Sequence, residues 1–320
     1  CQSSLVLNGP LESLFLMEAK CKERLKVLNL KDALLAWQKS RVQWLKEGDY
    51  NSAFFFNSVK ARFNSCMLIL LRHADGPDTT DPEAIIGEMV AFFQFLVSAP
   101  HDSVYDGRTS LVVFVHNSID QGSRENIDKP VTAGYVLRAL LSIHPNEAPG
   151  PYIFNAFFFY KTWSVIGSDV TGAVLEFFRS GKLLREANES IITLVPKVSN
   201  ACHISDFRPI YCCNTIYKCI SKILVSRLKL VLLGCINKSQ SAFILGRKIS
   251  DNILMAQEIM RGYRLDSGVP RCAFKVDLFK AFDFVRRYFL WDALELLGFP
   301  VKFSSWIKRC ITTSMYSVNI

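Results

Sequence analysis

Between residues 12 and 63 the apolar positions follow a helical period. Leu34, Trp37, Arg41, Trp44 and Leu45 fall on one side, and Lys39, Lys46 and Glu47 on the other. Gly48-Asp49 interrupts the pattern, which resumes from Asn51 to Phe63. Tryptophans seven residues apart on a helix read as core. A turn-like stretch over 75–80 leads into a helix over 81–97, and then into a polar connection over 100–130 around the apolar run Leu111 to Val115. Thr132 opens a helix that runs through Ser142. Asn146-Glu-Ala-Pro149-Gly150-Pro151 cannot be helix interior. Ser168 is placed to cap a helix over 169–180 that Gly181 closes.

The period then changes. Ile191 to Val195 is a β-branched run, followed by Pro196-Lys197 and a polar segment. Phe207-Arg208-Pro209-Ile210 begins a second extended piece, so the pattern predicts a hairpin presenting Lys197 and Arg208. A helix over 214–233 follows, with Ile216, Ile220, Ile223, Leu224 and Leu228 inward and Lys218, Lys222, Arg227 and Lys229 on other faces. Near the end, Cys272 to Val276 reads as a buried strand that delivers Asp277 at its tip. Phe282, Val285, Phe289, Leu290, Ala293, Leu294 and Leu297 then recur at helical spacing. An Asp at a strand–helix junction either caps the helix or is aimed at a metal ion. No internal repeat or low-complexity tract is present.

Charge changes this picture. The formal net charge is +9, and residues 182–320 hold 21 Lys and Arg against 10 Asp and Glu, whereas residues 1–181 hold 17 against 19. The positive excess therefore lies in the half with Asp277 and suggests a polyanionic partner such as nucleic acid. The ten cysteines include no C-x-x-C pair and mostly sit in apolar runs, as buried free thiols do in a reducing compartment. Cys202-His203 with Cys212-Cys213 fits no usual zinc spacing. No apolar run reaches the roughly 18 residues that a membrane span requires, so no membrane partner is expected. Both ends look cut: the chain opens on Cys1 and closes on the β-prone run from Met315 to Ile320, which implies a fragment.

Several separated strings agree with one family. They are Ser40-Arg-Val-Gln-Trp-Leu-Lys-Glu-Gly-Asp49, Ala148-Pro-Gly-Pro151, Ile192-Thr-Leu-Val-Pro-Lys197, Asp206-Phe-Arg-Pro-Ile210 and Tyr217-Lys-Cys-Ile-Ser-Lys-Ile-Leu224. Gln240-Ser-Ala-Phe-Ile-Leu-Gly-Arg247, Asp251-Asn-Ile-Leu254, Lys275-Val-Asp-Leu-Phe-Lys-Ala-Phe-Asp283, Gly298-Phe299 and Trp306-Ile307 continue the series in the same order. From about residue 38 onward the chain resembles the reverse transcriptase of plant non-LTR (LINE-type) retrotransposons.

The resemblance implies an α+β fold: the fingers and partial palm of a right-hand polymerase, an antiparallel sheet packed on helices, preceded by a helical connector. Residues 1–130 would be the connector and 131–320 the fingers and partial palm. The implied chemistry is RNA-directed DNA synthesis from deoxynucleoside triphosphates on an RNA template and DNA primer or target, with two Mg²⁺ ions. Asp277 matches the family's first metal-binding Asp and is the catalytic candidate. Phe282 matches the residue against the nucleotide sugar, and Lys197 and Arg208 match the cations that hold the triphosphate. Gly246-Arg247 matches a position with a backbone or template-positioning role, which makes Arg247 the nucleic-acid candidate. Asp283 is assigned to capping or packing. The family's use of chromosomal target DNA implies a nuclear step.

Departures from the pattern matter too. Ile320 precedes the motifs that supply the family's remaining metal ligands, so the chain is expected to lack polymerase activity alone. Tyr152-Ile153 replaces the usual Asp-Gly after Pro151, Tyr211 a usual Ser, and Phe54-Phe55-Phe56 a pattern that ends in His. A non-catalytic RNA- or DNA-binding remnant is the alternative reading, and a non-functional product of a decayed element is a third.

Overall fold

The computed structural model describes residues 12–40, 52–66, 76–98, 118–244, 246–261, 272–277 and 285–319, with isolated positions between 68 and 73, at 108, 111–112 and 263. The chain divides into two compact units, one of Cys1–Ile85 with Val195–Arg208, the other of Ile86–Leu194 with Pro209–Ile320.

In the first unit, helices α1 (Glu12–Ser40) and α2 (Ser52–Cys66) pack on each other and bury Ala33 and Phe55. Leu34, expected inward, is exposed together with Leu16, Leu25 and Leu35. A helix with one main neighbour covers only a narrow stripe, so most of the apolar circumference of α1 stays in solvent. Trp44, Gly48-Asp49 and the side chain of Trp37 lie outside the described residues. An isolated bridge joins Leu71 and Thr79, and the Arg72 amide donates to Cys202 O at 2.8 Å, which ties this unit's hairpin tip to residues 71–72. Helix α3 (Pro82–Ser98), which from Ile86 onward belongs to the second unit, agrees with its sequence pattern and buries Ile85, Met89, Phe93 and Leu96 along one face.

The second unit is built on helices α4 (Gln121–Asp128), α5 (Ala133–Leu141), α6 (Ala156–Ser180), α7 (Thr215–Cys235), α8 (Ile249–Met260), α9 (Arg287–Leu296) and α10 (Val301–Thr312). Helix α7 is the hub, with α4, α5 and α6 packed against it, while α9 and α4 rest on α10. Val136, Leu140, Val174, Phe177, Ile220, Ile223 and Phe303 are fully buried there, and Phe178 meets Trp306 edge-on at 5.0 Å. Helix α6 begins twelve residues before the expected Ser168 cap, because Asn155 caps it by accepting from the Phe158 amide at 3.1 Å. Gly181 ends it in the left-handed region, as its sequence position requires.

Arg227 does not share the exposed face of its neighbouring cations. Only 5% of it is accessible, and its guanidinium donates to Ile127 O and Lys129 O while lying over the Tyr135 ring. Those carbonyls end α4, so the charge is buried because it caps a helix C-terminus. Its pKa is lowered by burial.

The sheet has the order β2–β1–β3, with β1 Glu189–Pro196, β2 Phe207–Cys213 and β3 Met315–Asn319. Strands β1 and β2 run antiparallel: Ser190 meets Cys213, Thr193 meets Cys212, and the Lys197 amide donates to Asp206 O at 2.7 Å. Strand β3 adds in parallel, from Glu189 opposite Met315 to Thr193 opposite Asn319. The β-prone run near the end of the chain thus has a partner. The α+β class holds.

Residues 272–277 form no strand, and the expectation of a buried one is overturned. Phe274 is 86% and Val276 78% exposed. Among the described residues no strand pairs with this segment, and without a ladder an apolar extended run has neither hydrogen-bond partners nor a covering face. No helix among the described residues is long and apolar enough to cross a membrane.

Candidate functional site

The β1–β2 hairpin presents the expected cations. The strands are held in register by the contacts given above, and their tip spans the 3-10 turn Ile204–Asp206. Lys197 is exposed, and its Nζ donates to Ser205 O at 2.6 Å, so the stem lies across the tip instead of trailing into solvent. Arg208 is exposed and makes no ion pair or side-chain hydrogen bond among the described residues. Both cations belong to the same hairpin tip, Val195–Arg208. A free guanidinium fork and a tethered ammonium are suited to phosphate oxygens.

Asp206 organises the tip. Its Oδ2 accepts from the His203 amide at 3.0 Å and the Cys202 amide at 3.3 Å, and lies 3.3 Å from His203 Nδ1. The His203 amide leads in holding the carboxyl below its usual range, with the Cys202 amide and the imidazole adding to it. Its own carbonyl receives the Lys197 amide, so the cap and the cation share one residue.

The Pro-Gly loop before α6 is fastened to α7. Lys218 Nζ donates to Ala148 O at 2.6 Å and lies 3.3 Å from Glu147; Thr215 Oγ1 donates to Phe154 O at 2.8 Å. A Cβ on Gly150 would stand 2.5 Å from the Asn214 amide nitrogen, so glycine is required there by close approach. The turn after Pro151 persists despite the missing glycine, with the Ile153 amide donating to Gly150 O at 2.9 Å. Ile153 carries the cost as φ +66°, a left-handed backbone on a β-branched residue. Tyr211 of β2 sets its ring edge-on to Tyr316 of β3 at 5.5 Å, on one face of the sheet.

Arg247 is engaged locally. Its guanidinium donates to the carbonyls of Leu233, Ile236, Asn237 and Gln240, which closes the C-terminus of α7 and braces the loop beyond it. Gly246 before it has φ +78°.

Asp277 is exposed at the end of 272–277, in the second unit. Phe282 and Asp283 lie outside the described residues. Mg²⁺ requires near-octahedral oxygen ligation. Among the described residues Asp277 belongs to no group of three metal-ligating side chains, so these residues do not fit a two-ion clamp. The group that does gather is Cys202, His203 and Asp206, which spacing rules for Cys and His alone pass over. Of the described cysteines, all free, only Cys219 and Cys310 are buried, and burial pushes both thiols up to about 12.

Two likenesses bear on this arrangement. Residues 195–320 match the family described as Reverse transcriptase (RNA-dependent DNA polymerase), whose chemistry is nucleotidyl transfer, generally with divalent metal ions. Over 305 residues, 93% of the chain, the sequence is 28% identical to the Transposon TX1 uncharacterized 149 kDa protein of Xenopus laevis. The chain spans 23% of that relative's length. The family match starts two residues before Lys197 and takes in the hairpin tip, β2, Arg247, Asp277 and β3, so residues 195–320 are similar in sequence to reverse transcriptases, and the chain as a whole is similar to a transposon protein.

Proposed function

We propose that this chain supplies the fingers and the first part of the palm of a polymerase that copies RNA into DNA for a LINE-type element of the plant branch. Residues 131–320 take that role, and 1–130 act as the helical connector. Lys197 and Arg208 grip the triphosphate of an incoming deoxynucleotide, and Phe282 stands against its sugar. Arg247 fixes the loop that meets the RNA template and DNA primer. Asp277 offers one carboxylate towards the Mg²⁺ pair; the residues described do not complete that clamp, so no catalytic step is assigned to the chain by itself. The observation that supports the reading is the hairpin tip with two exposed cations inside the segment matched to the family.

Primer extension on an RNA template with Mg²⁺ tests the catalytic half, and no incorporation is expected. Robust metal-dependent incorporation would overturn the statement that the clamp is incomplete. Binding of primer–template tests the other half, with affinity expected to fall steeply as salt rises. The basic excess of residues 182–320 also favours the reading of a non-catalytic nucleic-acid binder. Triphosphate binding that depends on Lys197 and Arg208 separates the two, since a binder of nucleic acid alone has no need of it.

A further inference from the structure

We propose that Cys202, His203 and Asp206 form a binding site for a thiophilic divalent ion, Zn²⁺ in the first instance, at the tip of the β1–β2 hairpin. Cys202 Sγ lies 3.4 Å from His203 Nδ1, and His203 Nδ1 lies 3.3 Å from Asp206 Oδ2. All three ligand atoms fall within 4.8 Å of one another. Ligands at the usual Zn–S, Zn–N and Zn–O lengths around a tetrahedral centre stand about 3.6 Å apart for sulfur and nitrogen and about 3.4 Å for nitrogen and oxygen. The side chains therefore already stand near two edges of a zinc tetrahedron. One sulfur, one imidazole nitrogen and one carboxylate oxygen suit zinc and exclude Mg²⁺, which prefers oxygen throughout.

The surroundings favour the ion as well. The carboxylate is fixed by two backbone amides, as oriented metal ligands generally are. Three protein ligands leave a fourth position for water, which the exposed tip can supply. Binding converts the Cys202 thiol to a thiolate and releases its proton to solvent. The His203 ring must present the Nδ1 lone pair, so its remaining proton sits on Nε2. The net change at neutral pH is one proton released per ion bound. Because Asp206 O receives the Lys197 amide and Ser205 O receives Lys197 Nζ, an ion here would stiffen the peptide that holds a candidate phosphate-binding cation. This site is separate from the Mg²⁺ chemistry attached to Asp277 and does not depend on it.

The test titrates the 320-residue chain with Co²⁺ and then Zn²⁺. The expected result is one Co²⁺ per chain with a thiolate-to-metal absorption band, displaced by Zn²⁺, together with release of about one proton per ion. Cys202→Ser abolishes the band, and His203→Ala weakens binding by at least about tenfold. Other cysteines could bind metal too, and Cys202→Ser decides that question because the contact given for its thiol is with His203, itself one of the three proposed ligands. Circular dichroism of the metal-free variant should match that of the parent. A band that survives in Cys202→Ser, or the absence of micromolar binding in the parent, overturns the proposal.

Discussion

The β1–β2 hairpin and the segment Cys272–Asp277 have similar ingredients, a short apolar run that ends beside a charged residue, but different fates. In the hairpin each strand has a neighbour, Ile192 and Phe207 are buried, and the cations emerge where the ladder ends. In 272–277 the residues belong to no ladder among the described residues, and Phe274 and Val276 face solvent. A β-prone run becomes a strand only where something completes its ladder and covers a face. The charge it carries inherits that difference: Lys197 is held by its own hairpin, whereas Asp277 is not anchored by a sheet.

The sharpest way to break this comparison is truncation at matched positions. Ile192→Ala should destabilise the chain by about 2–5 kcal/mol, because it empties a closed site. Val276→Ala should change stability by no more than about 0.5 kcal/mol. Urea unfolding of both variants checks this, and equal losses would mean that 272–277 is packed after all. Gly150→Ala comes next, at about 1–3 kcal/mol of destabilisation, since its Cβ would press on the backbone that starts α7. Ile153→Gly should do the reverse and stabilise by about 0.5–1 kcal/mol, read as a higher midpoint, because it relieves a left-handed φ at a side chain 79% exposed.

The smallest effect concerns pH. Asp206 has a lowered pKa, so its contribution to the hairpin tip is complete above the ordinary carboxylate range near about 4 and is lost as pH falls through the lower folded value. The Cys202 and His203 amides, which donate to this carboxylate, should lose the protection it gives them only below that range, as read by hydrogen exchange.

Much of the second unit was legible before any coordinates. Helices α5 and α7 and the Gly181 stop follow from period and capping chemistry, and the β1–β2 hairpin, whose tip belongs to the first unit, from β-branching, all of which act locally. Three features were not legible for one shared reason: they depend on what lies across space. Arg227 resembles its exposed neighbours in sequence and is buried because α4 ends beside it. Residues 272–276 have the composition of a strand and lack its partners. The Cys202, His203 and Asp206 group depends on a carboxylate that a search confined to Cys and His spacing does not weigh. The early start of α6 is different, since Asn155 is a good N-cap plainly visible in the sequence. Of the site, Lys197 and Arg208 were legible as a pair on one hairpin, whereas the local engagement of Arg247 with four carbonyls was not.

The most direct measurement is equilibrium binding of a primer–template by the 320-residue chain over a range of salt concentrations, with and without deoxynucleoside triphosphate, compared with a Lys197→Ala/Arg208→Ala variant. The parent should lose affinity steeply with salt and gain from the triphosphate. The variant should lose that gain, while its salt slope without triphosphate stays that of the parent. Identical triphosphate dependence in the two proteins would contradict the assignment of this hairpin to triphosphate binding.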